Sequence, residues 1–250
     1  SVAGGTDRNT YRLSARYMYD GSNLKWGNNN NQRYNLRLSN TFHVTDAFEI
    51  ESVIAYSRQD QVAPTQIGAA LTSSVQQPGF PSSTIDGKPY AWGTWGAPNW
   101  YCELGGDNKL KVSGVNISET FKYKFNKHFD AVATLGYNTS TSTRDIQGKS
   151  IDWYNYAGTE VTMTNPTADK TFSRTDMYTL NAYLNWHQTF AEKHNLAAMI
   201  GTQYNLKEYD YTPVKAQNIL PSLEIINGTG EVLLKNSSND GPEKWHEGLL

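Results

Sequence analysis

The side chains best suited to touching a ligand crowd into one stretch, "DGKPYAWGTWGAPNWYCELGGDN", where Trp92, Trp95, Trp100 and Tyr101 stand among glycines and prolines. Such aromatics either stack on sugar rings and anchor a protein partner, because they offer large apolar area at little entropic cost, or fill the core of a folded loop. A second set is basic. Arg12, Arg16, Arg37, Lys122 and Lys124 alternate with apolar neighbours, and together they would make an electropositive surface that attracts anionic or polar solutes.

The ingredients of catalysis do not assemble. Histidines at 43, 128, 187, 194 and 246 lack the spacing that holds a metal ion. There is no G-x-S-x-G elbow, no phosphate-cradling glycine loop and no convincing carboxylate pair. The expectation is a protein with no catalytic residue, no cofactor and no metal site, not an enzyme. Cys102 is the only cysteine, so it has no partner for an internal disulfide or a thiolate metal site. A formal net charge of -2 gives no reason to expect nucleic acid as a partner.

Strands must carry these side chains. The 16 Tyr and 7 Trp beside 20 Gly, with only 18% charged residues, suit β-sheet with aromatic surface belts better than helix. Seven segments alternate with period two: Thr10–Tyr19, Arg33–His43, Phe48–Arg58, Val112–Asn126, Phe129–Thr141, Asp176–Phe190 and Asn195–Glu208. Each exceeds the average globular strand of about 5 or 6 residues and reaches the roughly 9 to 11 that a tilted membrane-crossing strand needs. Three connections are tight, "VTDA", "KH" and "AEKH", whereas 20–32, 59–111, 142–175 and 209 onward are long. Short turns on one side and long loops on the other are the layout of an outer-membrane barrel, and no apolar run of about 18 residues offers a helical crossing instead.

Aromatics on the apolar parity recur eight residues apart: Tyr11 and Tyr19, Tyr34 and Phe42, Phe48 and Tyr56, Phe129 and Tyr137, Tyr178 and Trp186. Eight steps of about 3.3 Å, tilted by about 40°, project to roughly 20 Å, close to the band between the two aromatic girdles of a bacterial barrel. These ten residues are expected at the membrane girdles, and the five basic residues on the opposite parity are expected to face the lumen. Glu119 falls on the lipid-facing parity, so a loop end or a bulge is expected there. Val53, Val132, Tyr183 and Met199 fall on the lumen parity.

The stretch "GGTDRNTYRLSARYMYDGSN" followed by "QRYNLRLSNTFHVTDAFEIESVIAYSR" resembles the barrel of SusC/RagA-like TonB-dependent transporters, nutrient importers of the outer membrane of Bacteroidetes-type bacteria. The likeness lies in Gly5-Thr6, the run from Tyr11 to Ser14, the Asp20-Gly21 turn, Arg33-Tyr34 with Arg37, and Val44-Thr45-Asp46 leading to Tyr56-Ser57-Arg58. The tail "EKWHEGLL" looks like the approach to a further strand.

The resemblance implies an all-β, antiparallel transmembrane barrel segment, residues 1–250 forming part of the wall of a larger, 22-stranded barrel. The family's plug and TonB-contacting segment are not recognisable here, and "SVAGGTDRNTY" lacks the marks of a signal peptide. It further implies import of a glycan or peptide, energy through the TonB complex by way of parts outside this chain, a SusD-like surface lipoprotein as partner, and outer-membrane lipid around the barrel. Two other readings of the residues stay open: a soluble carbohydrate-binding β-sandwich using the Trp-rich loop, and a passive porin-like barrel.

Overall fold

The computed structural model describes residues 1–76, 79, 81–162, 166–190, 194–217, 231–233 and 245–249. The chain runs β1 (Val2–Thr6), β2 (Asn9–Gly21), β3 (Asn30–His43) and β4 (Phe48–Pro64), then α1 (Ile67–Gln76), β5 (Ala91–Trp92), β6 (Trp95–Gly96) and α2 (Pro98–Leu104). It continues through β7 (Asp107–Lys124), β8 (Phe129–Gly148), β9 (Asp152–Tyr154), β10 (Glu160–Thr162), β11 (Thr167–Phe190), β12 (His194–Gln217), β13 (Glu231–Leu233) and β14 (Trp245–Leu249).

One large antiparallel sheet has the order β1-β2-β3-β4-β7-β8-β11-β12, with β13 and β14 both pairing with β12. All seven segments expected from the alternation are strands of it, each lying beside the next. The expected tail strand is β14. Residues 243, 244 and 250 of "EKWHEGLL" lie outside the described residues, as do residues 191–193 of "AEKH".

Local chemistry makes the tight turns. The Thr45 hydroxyl accepts the amides of Ala47 (3.3 Å) and Phe48 (3.1 Å), folding β3 back on β4. The Asn126 side-chain oxygen does the same for His128 (2.8 Å) and Phe129 (3.1 Å) between β7 and β8. These turns, Asp7-Arg8, the end of β11 and the start of β12 all fall at one end of the sheet, because every pairing in it is antiparallel. The connections 22–29, 65–106 and 149–166 fall at the other end.

At the turn end, strand boundaries agree closely with the alternation. At the loop end they run past it: β4 reaches Pro64, β7 begins at Asp107, β8 reaches Gly148, and β11 and β12 are 24 residues each. The added stretches no longer alternate: residues 59–61 and 142–145 are polar on both faces. A backbone ladder needs no apolar side chains, so the sheet continues after the alternation has ended.

The registers carry no slip. From Phe48↔Tyr123 to Pro64↔Asp107, and from Thr167↔Gly148 to Trp186↔Phe129, partners advance one for one. Glu119 is therefore not beside a bulge, nor at a loop end. It pairs Ser52 and Leu135 inside the ladder, and its carboxylate accepts a 2.5 Å hydrogen bond from the Ser52 hydroxyl on the neighbouring strand. A partner on the same face replaces the expected backbone irregularity.

The buried core lies in the loops rather than between sheets. Ala70, Ala91, Tyr101, Cys102, Ile151 and Trp153 pack together, with Trp100 and Val161 against them. The described residues of the 65–106 and 149–166 connections thus fold as one cap. It is fastened to the strand ends by the Thr65 hydroxyl donating to the Gln147 carbonyl (3.0 Å), the Gln66 amide to the Lys149 carbonyl (2.9 Å), and the Lys149 amide to the Gly105 carbonyl (3.0 Å). Gly96 must be glycine, since a Cβ there would strike the Trp153 ring.

Candidate functional site

Constant registers sort the side chains into two faces. On one, Tyr17 meets Tyr34, Tyr137 meets Tyr178, Phe48 meets Tyr123 and Phe129 meets Trp186 as direct cross-strand partners. Ring centroids are 5.1 Å apart for Tyr17–Tyr34 and for Tyr137–Tyr178, and 6.2 Å for Phe48–Tyr123. All ten aromatics expected at girdles share this face, in two tiers. Between the tiers stand aliphatic side chains that none of the described residues covers: Leu36 is 48% exposed, Ile54 45% and Leu135 50%.

A sandwich would place a second sheet about 10 Å from that face. The described residues instead form one large sheet and two small two-stranded ladders.

The opposite face is largely polar, interrupted by Val53, Val132, Tyr183 and Met199, and its two ends differ. Near the turns its charges are compensated: the Lys122 ammonium lies 3.0 Å from a Glu49 oxygen and 2.5 Å from a Glu51 oxygen, and Glu49 also meets His43 at 3.1 Å. Asn185 donates to Asp130 at 2.7 Å. Lys124 shares the face at the end of β7, and Arg12, Arg16 and Arg37 lie further along β2 and β3 with exposed side chains. Arg33 lies on the same face of β3.

The four aromatics of the Trp-rich loop separate by depth. Trp92 and Trp95 face each other across β5 and β6, with Trp92 52% exposed and Trp95 half-buried. Trp100, on α2, is half-buried and its indole donates to the Ser82 carbonyl at 2.7 Å. Tyr101, expected among the contact residues, points into the core instead, its ring 4.7 Å from that of Trp153 and its hydroxyl accepting the Gly96 amide at 3.1 Å. Helix α2 places the two side by side in sequence on different sides, so one stays near the surface and the other does not. Trp153 lies between Asp152 and Tyr154, outside the Trp-rich stretch, and nothing local marks it as the centre of the cap.

Cys102 is also buried there. Burial pushes its thiol above the ordinary range, with the nearby Glu103 carboxylate adding to the effect.

An all-β antiparallel sheet with an uncovered apolar face, a largely polar opposite face and loops sorted by end is the fold of a β-barrel wall segment. Solved structures share it. The RagAB peptide importer in its "closed-closed" state matches with a TM-score of 0.68 and 13% identity over 99% of this chain and 27% of that one. The RagAB peptide transporter gives 0.68 and 13% over 98% and 28%, and the "open-open" state of the importer gives 0.67 and 13% over 98% and 27%. This chain therefore spans about a quarter of the length of those proteins. No protein-family model and no curated protein matches the sequence.

Proposed function

We propose that the chain is part of the wall of an outer-membrane importer of the SusC/RagA type, which admits a glycan or peptide using energy delivered through TonB. The observation that carries this reading is the unbroken register. It puts two aromatic tiers and the aliphatic residues between them on one face, and the arginines on the other. In this reading the tiers Tyr11, Phe42, Phe48, Phe129 and Trp186, and Tyr19, Tyr34, Tyr56, Tyr137 and Tyr178, meet the two membrane interfaces. The basic residues line the lumen. The cap lies on the outside, where Trp92 is available to a substrate or to a SusD-like surface lipoprotein. The likeness of the fold to a peptide importer supports the transport role. On this reading the cargo is carried across without chemical change.

The test uses the complete gene product in bacterial cells with and without a functional TonB complex. Outer-membrane fractionation and TonB-dependent uptake of labelled oligosaccharide or peptide are expected. Uptake that persists without TonB would indicate a passive barrel, and recovery in the soluble fraction would overturn the membrane assignment.

A further inference from the structure

The arginines of β2 and β3 form a regular series. In successive same-face rows of this hairpin the partners are Arg12↔Ser39, Ser14↔Arg37, Arg16↔Asn35 and Met18↔Arg33. Each row holds one arginine, supplied in turn by β2, β3, β2 and β3. Rows lie two residues apart, so successive arginine Cα positions advance about 6.7 Å along the strands and the series climbs roughly 20 Å; the Arg37 Nε–H donates to the Ser39 hydroxyl at 3.4 Å, in the row of Arg12.

All four side chains are exposed, and none lies within ion-pair distance of a carboxylate among the described residues. The nearest acids on this face mark its limits: Glu51, held by Lys122, on the turn side, and Asp20 on the loop side. Isolated like charges at this spacing repel one another, and a bound anion relieves that repulsion.

A trough opens off the series at Arg37 and crosses the strands from β3 to β8. It encloses about 420 Å³, with Arg37 on one side, Ala55, Ser57 and Gly114 as a low floor, and Asn116 and Asn138, direct partners between β7 and β8, on the far side. The floor is low because these three side chains are small or missing.

We propose that this wall is a binding track for an extended acidic peptide, with carboxylates on every second residue meeting the arginine series and one of its peptide groups meeting Asn116 across the low floor at Ala55 and Ser57. Two features select that ligand. An extended peptide repeats its side chains on one face every two residues, at the same step of about 6.7 Å as the sheet itself. A carboxamide carries both a donor and an acceptor, which complement a peptide group's carbonyl and amide. The track deepens the importer reading and rests on it for its physiological role, because it gives that lumen a substrate preference.

The experiment measures binding to the complete protein in detergent. The probes are a fluorescein-labelled octapeptide with glutamate at every second position and threonine between, its isomer with the four glutamates adjacent, and its glutamine counterpart. The alternating peptide is expected to bind about tenfold tighter than the glutamine peptide, and tighter than the isomer, with the preference shrinking in high salt. Arg12→Gln, Arg16→Gln, Arg33→Gln and Arg37→Gln should each weaken it about threefold and leave the glutamine peptide unchanged. Equal affinity for the three peptides, or equal losses for charged and neutral probes, overturns the track. Uptake by cells is read separately. Charge-selective binding without uptake keeps the track and removes the importer, whereas uptake indifferent to charge keeps the importer and removes the track.

Discussion

The sheet and the cap use the same residue types in opposite ways. In the sheet, Tyr34, Leu36 and Tyr56 stand on an uncovered face, each about two-fifths to one-half exposed. In the cap, Trp153 is 0% exposed and Tyr101 is 5% exposed. A water-soluble core forms where apolar groups meet each other, as in the cap. The sheet's apolar face meets nothing among the described residues, and on our reading its partner is lipid. The difference teaches that aromatic content does not distinguish a core from a membrane surface, whereas period does. The sheet aromatics recur at 2 and 8, and the cap aromatics at no fixed interval.

The largest effect that would sharpen this contrast is loss of the cap core. Trp153→Ala should cost the cap about 3 to 5 kcal/mol, because the ring is fully enclosed, while the barrel stays assembled. Hydrogen exchange at the amides of Ala91 and Ile151 should accelerate, with the heat-modifiable electrophoretic shift of the barrel unchanged. Simultaneous loss of both would show that cap and sheet are one cooperative unit.

Next comes the apolar face. Leu36→Arg, between the tiers, should cost about 2 to 4 kcal/mol in lipid vesicles, and Phe48→Arg, at the rim, about 0 to 1. Denaturant titrations of the two variants in the same vesicles provide the comparison, and equal costs would remove the depth dependence that a membrane imposes. Smaller again is the turn. Thr45→Ala removes the acceptor for two amides and should cost about 0.5 to 1.5 kcal/mol, read from the same titration.

The smallest effect concerns Cys102. Its raised pKa favours the protonated thiol in the folded cap, so the stabilisation is complete below the ordinary thiol value of about 8.5 and falls as pH rises through that range. Alkylation at mildly alkaline pH should be slow in the native protein and fast in Trp153→Ala. Rapid labelling of the native protein would place the thiol at the surface.

The sheet was legible because alternation records which face is apolar, and the registers follow that alternation without interruption. Its loop-end extensions were not, since "QDQVAP" and "TSTRDIQG" keep their ladder after leaving the apolar band and so lose the pattern. Glu119 misled for a related reason: parity exposes a charge but cannot show Ser52 beside it on another strand. The cap was legible only as a cluster of tryptophans. Its core is gathered from Ala70, Tyr101 and Trp153, residues far apart in sequence, and no local period announces that they meet. Arg12, Arg16 and Arg37 were recognisable one at a time. Their regular order with Arg33 depends on the β2–β3 register, which only the fold supplies.

The central claim, that the Leu36 face meets lipid and the Arg37 face meets water, is tested most directly by placing one cysteine at each position. In the complete protein with Cys102 changed to Ser, Leu36→Cys should react with a thiol probe dissolved in the membrane and resist a charged aqueous one. Arg37→Cys should show the reverse. If position 36 ignores the membrane probe, or reacts with the aqueous probe as fast as position 37 does, the apolar face does not meet lipid and the account is wrong.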